Sequence, residues 1–149
     1  MTARSGFEVR AATQADASAL ATLLATAGPA VDVRELANRL VALQHSGGTV
    51  LVALRWGPLS GLVVLHRCQT LQEARPTALI STLLVRVEDR RRGLGRLLIK
   101  AAAQVARSSG CGQLEILISQ EAASLQDFCR TTGFAEVGQR FVRSLRKQG

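Results

Sequence analysis

In the middle of the chain, the spacing of apolar residues changes from that of a strand to that of a helix. Residues 79–87 form an apolar run rich in leucine and β-branched side chains, without a turn-former, which predicts a strand. Both alternating sets of this run are largely apolar, so we expect both faces to be buried and the strand to be central. From Leu94 to Val105 the apolar positions recur at helical spacing, and residues 108–110 end the predicted helix.

Shorter apolar patterns on both sides of this stretch predict the remaining elements. We predict further strands at residues 7–11, 49–55, 62–67, 114–119 and 136–145. We predict further helices between residues 13 and 28, between 32 and 47, and between 121 and 132. Because a helix separates the buried strands 79–87 and 114–119, we expect these strands to be parallel, joined by a right-handed crossover. The turn at residues 57–61 predicts an antiparallel hairpin, so the fold class is α/β with a mixed sheet.

The composition is typical of a single globular domain. The chain has 149 residues, of which 47% are hydrophobic and 3% aromatic, so we expect one domain over residues 1–149. No apolar stretch approaches a membrane span and the N-terminus lacks a signal-peptide block, so we expect a cytoplasmic protein with no membrane partner. Cys68, Cys111 and Cys129 are odd in number and widely spaced, which argues against a disulfide framework or a zinc site.

The net charge of +8 is concentrated in two places. Residues 86–107 hold seven basic side chains against two acidic ones, and four more basic residues lie near the C-terminus. A nucleic-acid-binding module could have such a charge distribution, but the chain lacks an RNP-type aromatic motif, a zinc-finger spacing and aromatic residues for base stacking. An anionic small ligand explains the central cluster more simply.

The order strand, glycine-containing turn and helix builds an anion site. The first N–H groups of a helix have no partner inside it and lie at the positive end of the helix dipole. Gly93 and Gly95 allow a phosphate to approach the backbone, and the arginines at 90–92 add charge and forked donors. The stretch therefore predicts a phosphate-bearing ligand rather than a plain connecting turn.

Two motifs in the chain resemble a known family. Arg90-x-x-Gly93-x-Gly95, after a strand and at the start of a helix, resembles the acetyl-CoA-binding motif of the GCN5-related N-acetyltransferases, the GNAT family. A second segment resembles the C-terminal helix motif of that family, and it reads Ala122-x-x-Leu125-x-x-Phe128-Cys129-x-x-x-Gly133-Phe134. The likeness covers nearly the whole chain and implies a GNAT-like acyl-CoA N-acyltransferase fold, with a mixed sheet of about six to seven strands and about four helices.

The resemblance implies transfer of an acetyl group from acetyl-CoA to a primary amine by direct attack in a ternary complex, without a metal. It implies that pantetheine pairs with the backbone of residues 83–85 and that N–H groups from residues 91–96 hold the diphosphate, with a backbone N–H near Leu84 or Val85 stabilising the oxyanion. The implied cofactor-binding residues are Leu83, Leu84, Val85, Arg90, Arg91, Arg92, Gly93, Leu94, Gly95 and Arg96.

The catalytic acid and base are where the chain departs from the family. Cys129 stands where the family usually has the tyrosine that protonates the departing thiolate, and Ala122 stands at the usual asparagine. Cys129 is either a general acid or an inward helix residue without a catalytic role. No general base stands out; the weak candidates are Ser81, Thr82, Glu115, His66 and His45.

The sequence leaves the acceptor open; we expect a small-molecule or peptide amine, and the positive charge favours a neutral or anionic acceptor, including one carried on RNA, over a highly cationic one. A homodimer is left open. Two other functions also stay open: a non-catalytic acyl-CoA-binding or regulatory domain, favoured by the missing tyrosine, and a basic nucleic-acid-binding module.

Overall fold

The structure, a computed structural model, describes residues 6–118 and 123–146. The chain forms two compact units, Met1–Leu117 and Ile118–Gly149. The first unit holds the whole sheet and three of the described helices, and the second holds one helix and the segment that follows it. The expectation of a single domain over residues 1–149 stays a prediction.

The first unit is built on a five-stranded sheet in the order β1-β2-β3-β4-β5. The strands are β1 (Glu8–Ala11), β2 (Thr49–Leu54), β3 (Gly61–Cys68), β4 (Thr77–Val85) and β5 (Gln113–Ile116). Neighbouring strands are antiparallel except β4 and β5, which are parallel and joined through a helix, as the sequence predicts.

The helices are α1 (Ala17–Ala25), α2 (Val33–His45), α3 (Leu94–Ser108) and, in the second unit, α4 (Ala123–Thr131). Asp32 caps α2, where its side chain accepts a hydrogen bond from Glu35 N at 3.1 Å. A 3₁₀ turn leads into α1, and both guanidinium nitrogens of Arg10 donate to the Asp16 carboxylate at 2.8 Å, which ties β1 to this turn. None of the helices in the described part of the chain has the length and apolar character that a bilayer crossing requires.

The two faces of the sheet carry different helices. On one face, alternate residues of β2 and β3 pack against α1 and α2; this core comprises Val50, Val52, Leu62, Val64, Leu20, Leu23 and Leu40. On the other face lies α3, whose Leu94 and Leu98 side chains approach Gly61. A Cβ at Gly61 would lie 2.9 Å from Leu98 Cδ1, so the glycine allows this close packing.

The predicted fold class is confirmed, with differences at the strand ends. The strand predicted at 79–87 runs instead from Thr77 to Val85, because Val87–Asp89 turns into a 3₁₀ helix. The described sheet has five strands rather than six to seven, and the described part of the predicted strand 136–145 has no regular structure. An alternating pattern forms a strand only where a partner supplies a ladder, and none pairs with this segment among the described residues.

Candidate active site

The described ladder between β4 and β5 covers only the first half of β4. The ladder between them ends at the pair Ile80 and Ile116, with one further contact of 3.5 Å from Leu117 N to Ile80 O. Strand β4 continues to Val85, and within the described ranges no strand lies beside residues 81–85 on that side. This stretch of edge is therefore able to pair with an extended ligand.

The hydrogen bonds to β3 determine which backbone groups face this edge. Arg86 N donates to Ser60 O at 2.8 Å, so the backbone of Arg86 faces β3. In an antiparallel pair the direction alternates, so the main chain of Leu84 also faces β3, while those of Leu83 and Val85 face the open edge. Arg90 Nε reaches back to Val85 O at 3.3 Å. The N–H groups of Leu83 and Val85 face the open edge, whereas Val85 O already accepts from Arg90, and the Leu84 side chain packs on the core.

The turn between β4 and α3 curls its N–H groups into a concave surface. Arg91 and Gly93 both have left-handed backbone, with φ of 63° and 77°, and Gly93 is the N-cap residue of α3. Left-handed residues next to helical ones turn successive N–H groups to the same side and form an anion-binding nest. Gly93 has no atom within 4 Å of the position that a Cβ would occupy, so its surface is open.

The N–H groups of this turn are free to bind. No acceptor in the described part of the chain takes a hydrogen bond from the six consecutive N–H groups of residues 91–96, whereas Leu97 N already donates to Gly93 O at 3.0 Å. The last three of the six belong to the first turn of α3, where the helix dipole favours negative charge. The side chains of Arg90, Arg91, Arg92 and Arg96 are exposed around them. The predicted cofactor-binding residues are thus brought together at one end of β4.

A buried carboxylate anchors this turn, and the sequence analysis did not single it out. Asp89 is 4% exposed, and its carboxylate lies 2.8 Å from an Arg86 nitrogen and accepts a hydrogen bond from the Ser60 side chain. Burial, the largest influence, acts to raise the pKa of Asp89, but Ser60, Arg86 and Arg92 together outweigh it and hold that pKa below its usual value. Asp89 therefore joins the turn to the start of β3 and the end of β4. An acidic residue shortly after the strand was the only sequence signal, and it does not reveal the partner Ser60.

The candidate general acid lies in the second unit. Cys129 on α4 is 5% exposed, and burial raises the pKa of its thiol, an effect that the neighbouring Arg130 partly offsets. Helix α4 ends as the family motif implies, with Gly133 at a φ of 97° and Phe134 N donating to Cys129 O at 2.9 Å. The role of Cys129 stays a prediction, and Ala122 lies outside the described residues.

Among the candidate bases, the structure brings two side chains together. His66 Nε2 on β3 lies 2.6 Å from Ser81 Oγ on β4. Glu115 is exposed and accepts a hydrogen bond from Gln113 at 3.0 Å, and His45 is exposed at the end of α2. The residues that the structure describes include no group of three or more histidine, cysteine or acidic side chains that could hold a metal ion.

Comparison with known proteins identifies the class to which this chain belongs. The model of the acetyltransferase (GNAT) family matches residues 18–134. The chain therefore belongs to the GNAT family of acetyltransferases, and it is an acetyl-CoA-dependent N-acetyltransferase. Comparison with curated protein sequences gives no match.

Solved structures of acetyltransferases share this fold. A putative acetyltransferase from Agrobacterium tumefaciens str. C58 is 25% identical, with a TM-score of 0.82 over 92% of this chain and 99% of that one. An aminoglycoside N-acetyltransferase in complex with CoA has a TM-score of 0.83 at 16% identity over 95% of each chain. Glucosamine-6-phosphate N-acetyltransferase from Arabidopsis thaliana has a TM-score of 0.80 at 16% identity, over 94% of this chain and 99% of that one.

Proposed function

We propose that the chain transfers the acetyl group of acetyl-CoA to a primary amine by direct attack, with both substrates bound at the open edge of β4. One observation carries this proposal: among the described residues, the edge of β4 at residues 81–85 has no neighbouring strand, and it leads into six N–H groups, those of residues 91–96, that have no acceptor there. An extended chain of amides and a diphosphate joined in that order match these two features. The three cysteines are unpaired, which supports a location in a reducing compartment such as the cytoplasm.

In this proposal the turn binds the diphosphate and β4 orients the rest of the cofactor. The N–H groups of residues 91–96 donate to the phosphate oxygens, and the four exposed arginines add charge. Because β4 runs towards the turn, a cofactor anchored there extends back along the strand. It meets the backbone of Val85 first and that of Leu83 next, and its thioester then lies near the point where β4 and β5 part.

The backbone also supplies the oxyanion donor. The N–H of Leu83 faces the open edge, and we assign to it the thioester carbonyl; a donor of this kind typically lowers the activation free energy by about 2.7–4 kcal/mol. The amine nitrogen attacks the carbonyl carbon, the C–N bond forms, and the C–S bond breaks as its electron pair leaves with the sulfur. The role of general acid for that thiolate, which the family resemblance assigns to Cys129, stays a prediction.

We propose that the acceptor is a small molecule with a primary amine. The aminoglycoside and glucosamine-6-phosphate enzymes named above act on such amines, and this chain shares their fold. The net charge of +8 repels polycationic aminoglycosides at long range and attracts an amine that also carries a phosphate. An amine with an attached anionic group is therefore the favoured class. A peptide amine is the alternative acceptor. A homodimer is a separate possibility that is compatible with either acceptor.

A second function, binding of acyl-CoA without catalysis, is favoured by one observation. The chain contains no tyrosine, so the usual acid of the family is absent. Such a protein would keep the phosphate-binding turn and lose only the chemical step.

The experiment that tests the proposal has a binding arm and a turnover arm. In the binding arm, acetyl-CoA at about 100 times its Kd should raise the stability of the wild type by about 2.7 kcal/mol, seen as a rise in Tm. Gly95→Leu should abolish this rise because a leucine side chain in the first turn of α3 would crowd a phosphate bound to the N–H groups there. Gly28→Leu is the control, since Gly28 has nothing within 4 Å of a Cβ and is not left-handed.

The turnover arm measures release of CoA thiol with a panel of amines: glucosamine 6-phosphate, sisomicin, glycinamide and a peptide with a free N-terminus. Turnover of any of these supports the transferase. Binding without turnover on every amine favours the non-catalytic function, and the absence of any acetyl-CoA binding would overturn both.

A further inference from the structure

The contact between His66 and Ser81 lies at an irregularity in the sheet. Val64 pairs with Thr82 while the next residue of β3, Leu65, pairs with Ile80, so Ser81 is an extra residue in β4. Bulges of this kind redirect a side chain that regular pairing would place elsewhere. Here the Ser81 hydroxyl comes within 2.6 Å of His66 Nε2.

The bulge lies next to the last described pair of the ladder between β4 and β5. Ile80 is the last residue of β4 in the parallel ladder, and Ser81 is the first residue of the open edge. Ser81 lies two residues from Leu83, which at about 3.3 Å per residue is about 7 Å along the strand. Leu83 carries the N–H proposed for the thioester carbonyl, so the pair lies beside the reacting centre of the proposed function.

The pair also lies on a defined face of the sheet. Along β3 the side chains alternate, and His66 follows Leu62 and Val64 on the face that packs against α1 and α2. The α1 and α2 residues in that core are apolar, so they bring no charged group to the pair. His66 is partly exposed and Ser81 is exposed, so an acceptor amine can reach them from solvent on this face.

We propose that Ser81 and His66 form a proton relay that deprotonates the acceptor amine. This inference rests on the proposed transferase function and adds to it the identity of the base. With its proton on Nδ1, the imidazole accepts the Ser81 hydroxyl proton at Nε2. The serine oxygen is then able to take a proton from an amine on its exposed side.

The proton and electron balance of the step is complete. The ammonium form of the acceptor gives one proton to Ser81 Oγ as the serine proton passes to His66 Nε2, which becomes imidazolium. The freed lone pair of the amine forms the C–N bond, and the C–S bond breaks with its electrons on sulfur. The attacking nitrogen then loses its second proton, CoA thiolate takes up one proton, and the imidazolium later releases its proton to water.

The other titratable groups on this face are less well placed. Glu115 lies in the same cross-strand row as His66, with Leu79 between them, and two strand spacings separate them by about 10 Å. Cys68 lies two residues further along β3, away from the reacting centre. Glu115 lies within the ladder between β4 and β5, one residue before its last pair, and its side chain accepts a hydrogen bond from Gln113.

The test compares His66→Gln and Ser81→Ala with the wild type, using the best acceptor of the amine panel. Because general-base catalysis contributes typically about 10²- to 10⁴-fold, His66→Gln should lower kcat by about 100-fold or more, while the Kd for acetyl-CoA stays within twofold. In His66→Gln the acid limb set by the relay should be replaced by a rise in kcat that continues to higher pH, because the acceptor must then arrive as the free amine. In Ser81→Ala the acid limb should persist at a kcat about tenfold lower, since the imidazole remains.

Two controls separate this role from a structural one. His45→Gln removes the other of the two histidines, at an exposed position, and should leave kcat and its pH profile unchanged. Added imidazole should partly restore kcat in His66→Ala, which a purely structural loss would not allow.

One outcome would contradict the relay and leave the transferase function standing. In that outcome the wild type turns over an amine, and His66→Gln has the same kcat and the same dependence on low pH as His45→Gln. A wild type that binds acetyl-CoA and turns over no amine on the panel overturns the relay together with the transferase. The two failures are therefore distinguishable.

Discussion

A nitrogen of Arg86 lies 2.8 Å from the buried Asp89 carboxylate, across the turn that joins β4 to α3. The same arginine donates its backbone N–H to Ser60 O, and the Ser60 side chain donates to Asp89. The end of β4, the start of β3 and the turn before α3 are thus joined through three residues.

Asp89→Asn should loosen the phosphate-binding turn. The substitution removes the charge that pairs with Arg86 and leaves a buried amide with poorer hydrogen-bond partners. The free energy of unfolding should therefore fall by about 1–3 kcal/mol. We expect acetyl-CoA to bind about tenfold more weakly, measured by calorimetry. Glu88→Gln is the matched control, because the Glu88 side chain is 72% exposed and lies 3.6 Å from Arg86; it should change both quantities little. Equal behaviour of the two variants would contradict the anchoring role.

Gly93→Ala should weaken both the fold and cofactor binding. A side chain at a φ of 77° costs about 1 kcal/mol, and the new methyl would occupy the open surface of the nest. Gly110→Ala is the control, since Gly110 has a φ of 80° and open space around it but lies at the other end of α3. We expect both variants to lose similar stability by urea unfolding, and only Gly93→Ala to lose acetyl-CoA affinity. Unchanged affinity in Gly93→Ala would place the diphosphate elsewhere.

The Arg10–Asp16 pair should make stability depend on acidic pH. The hydrogen bonds from Arg10, opposed by burial and helped by Thr13, lower the pKa of Asp16 from 3.8 to about 2. Because the pKa of Asp16 is lower in the folded state than in the unfolded chain, the pair stabilises the fold fully at a pH above 3.8. This stabilisation is lost as the pH falls through about 2. Because the Arg10 side chain is 37% exposed and solvent screens the pair, we expect the pair to stabilise the folded state by about 1–2 kcal/mol at neutral pH.

Urea unfolding of the wild type and Asp16→Asn checks this expectation. The wild type should be more stable at pH 7, and the difference should shrink as the pH falls towards 2. Arg10→Gln should show the same convergence. A difference that stays constant between pH 7 and pH 2 would mean that the ion pair does not stabilise the fold.

The three cysteines should react with an alkylating reagent at different rates. Cys68 is exposed, Cys111 is intermediate and Cys129 is buried with a raised pKa, so we expect Cys68 to react first and Cys129 last in the native protein. Mass spectrometry of labelled peptides gives the order. Acetyl-CoA should further slow labelling of Cys129 if that thiol faces the CoA sulfur, and labelling that is equal with and without acetyl-CoA would dismiss its role as the acid.

The central stretch could be predicted from the sequence because its information is local. Three signals each determine the backbone conformation of the few residues around them. They are the apolar run before Val85, the glycines at 93 and 95, and the helical spacing after Leu94. Strand, turn and helix were therefore recognisable, and the anion site between them stays a prediction. The alternation that turns Leu83 and Val85, but not Leu84, towards the open edge became visible only once the hydrogen bonds to β3 were known.

The features that the sequence did not reveal depend on pairing between distant segments. Ser60 and Asp89 meet only because β3 and β4 are antiparallel. The Ser81 bulge arises from the register of β4 against β3, and no local pattern specifies it. For the same reason the alternating residues 136–145 were predicted as a strand, although the described residues offer them no ladder.

The anchoring of Asp89 also bears on the speed of cofactor capture. A turn that is already held in its binding shape loses little conformational freedom when the diphosphate arrives, so most of the interaction energy appears as affinity. Association should then be a single fast step without a slow rearrangement, and differences between acyl-CoA ligands should appear mainly in how long each one stays bound.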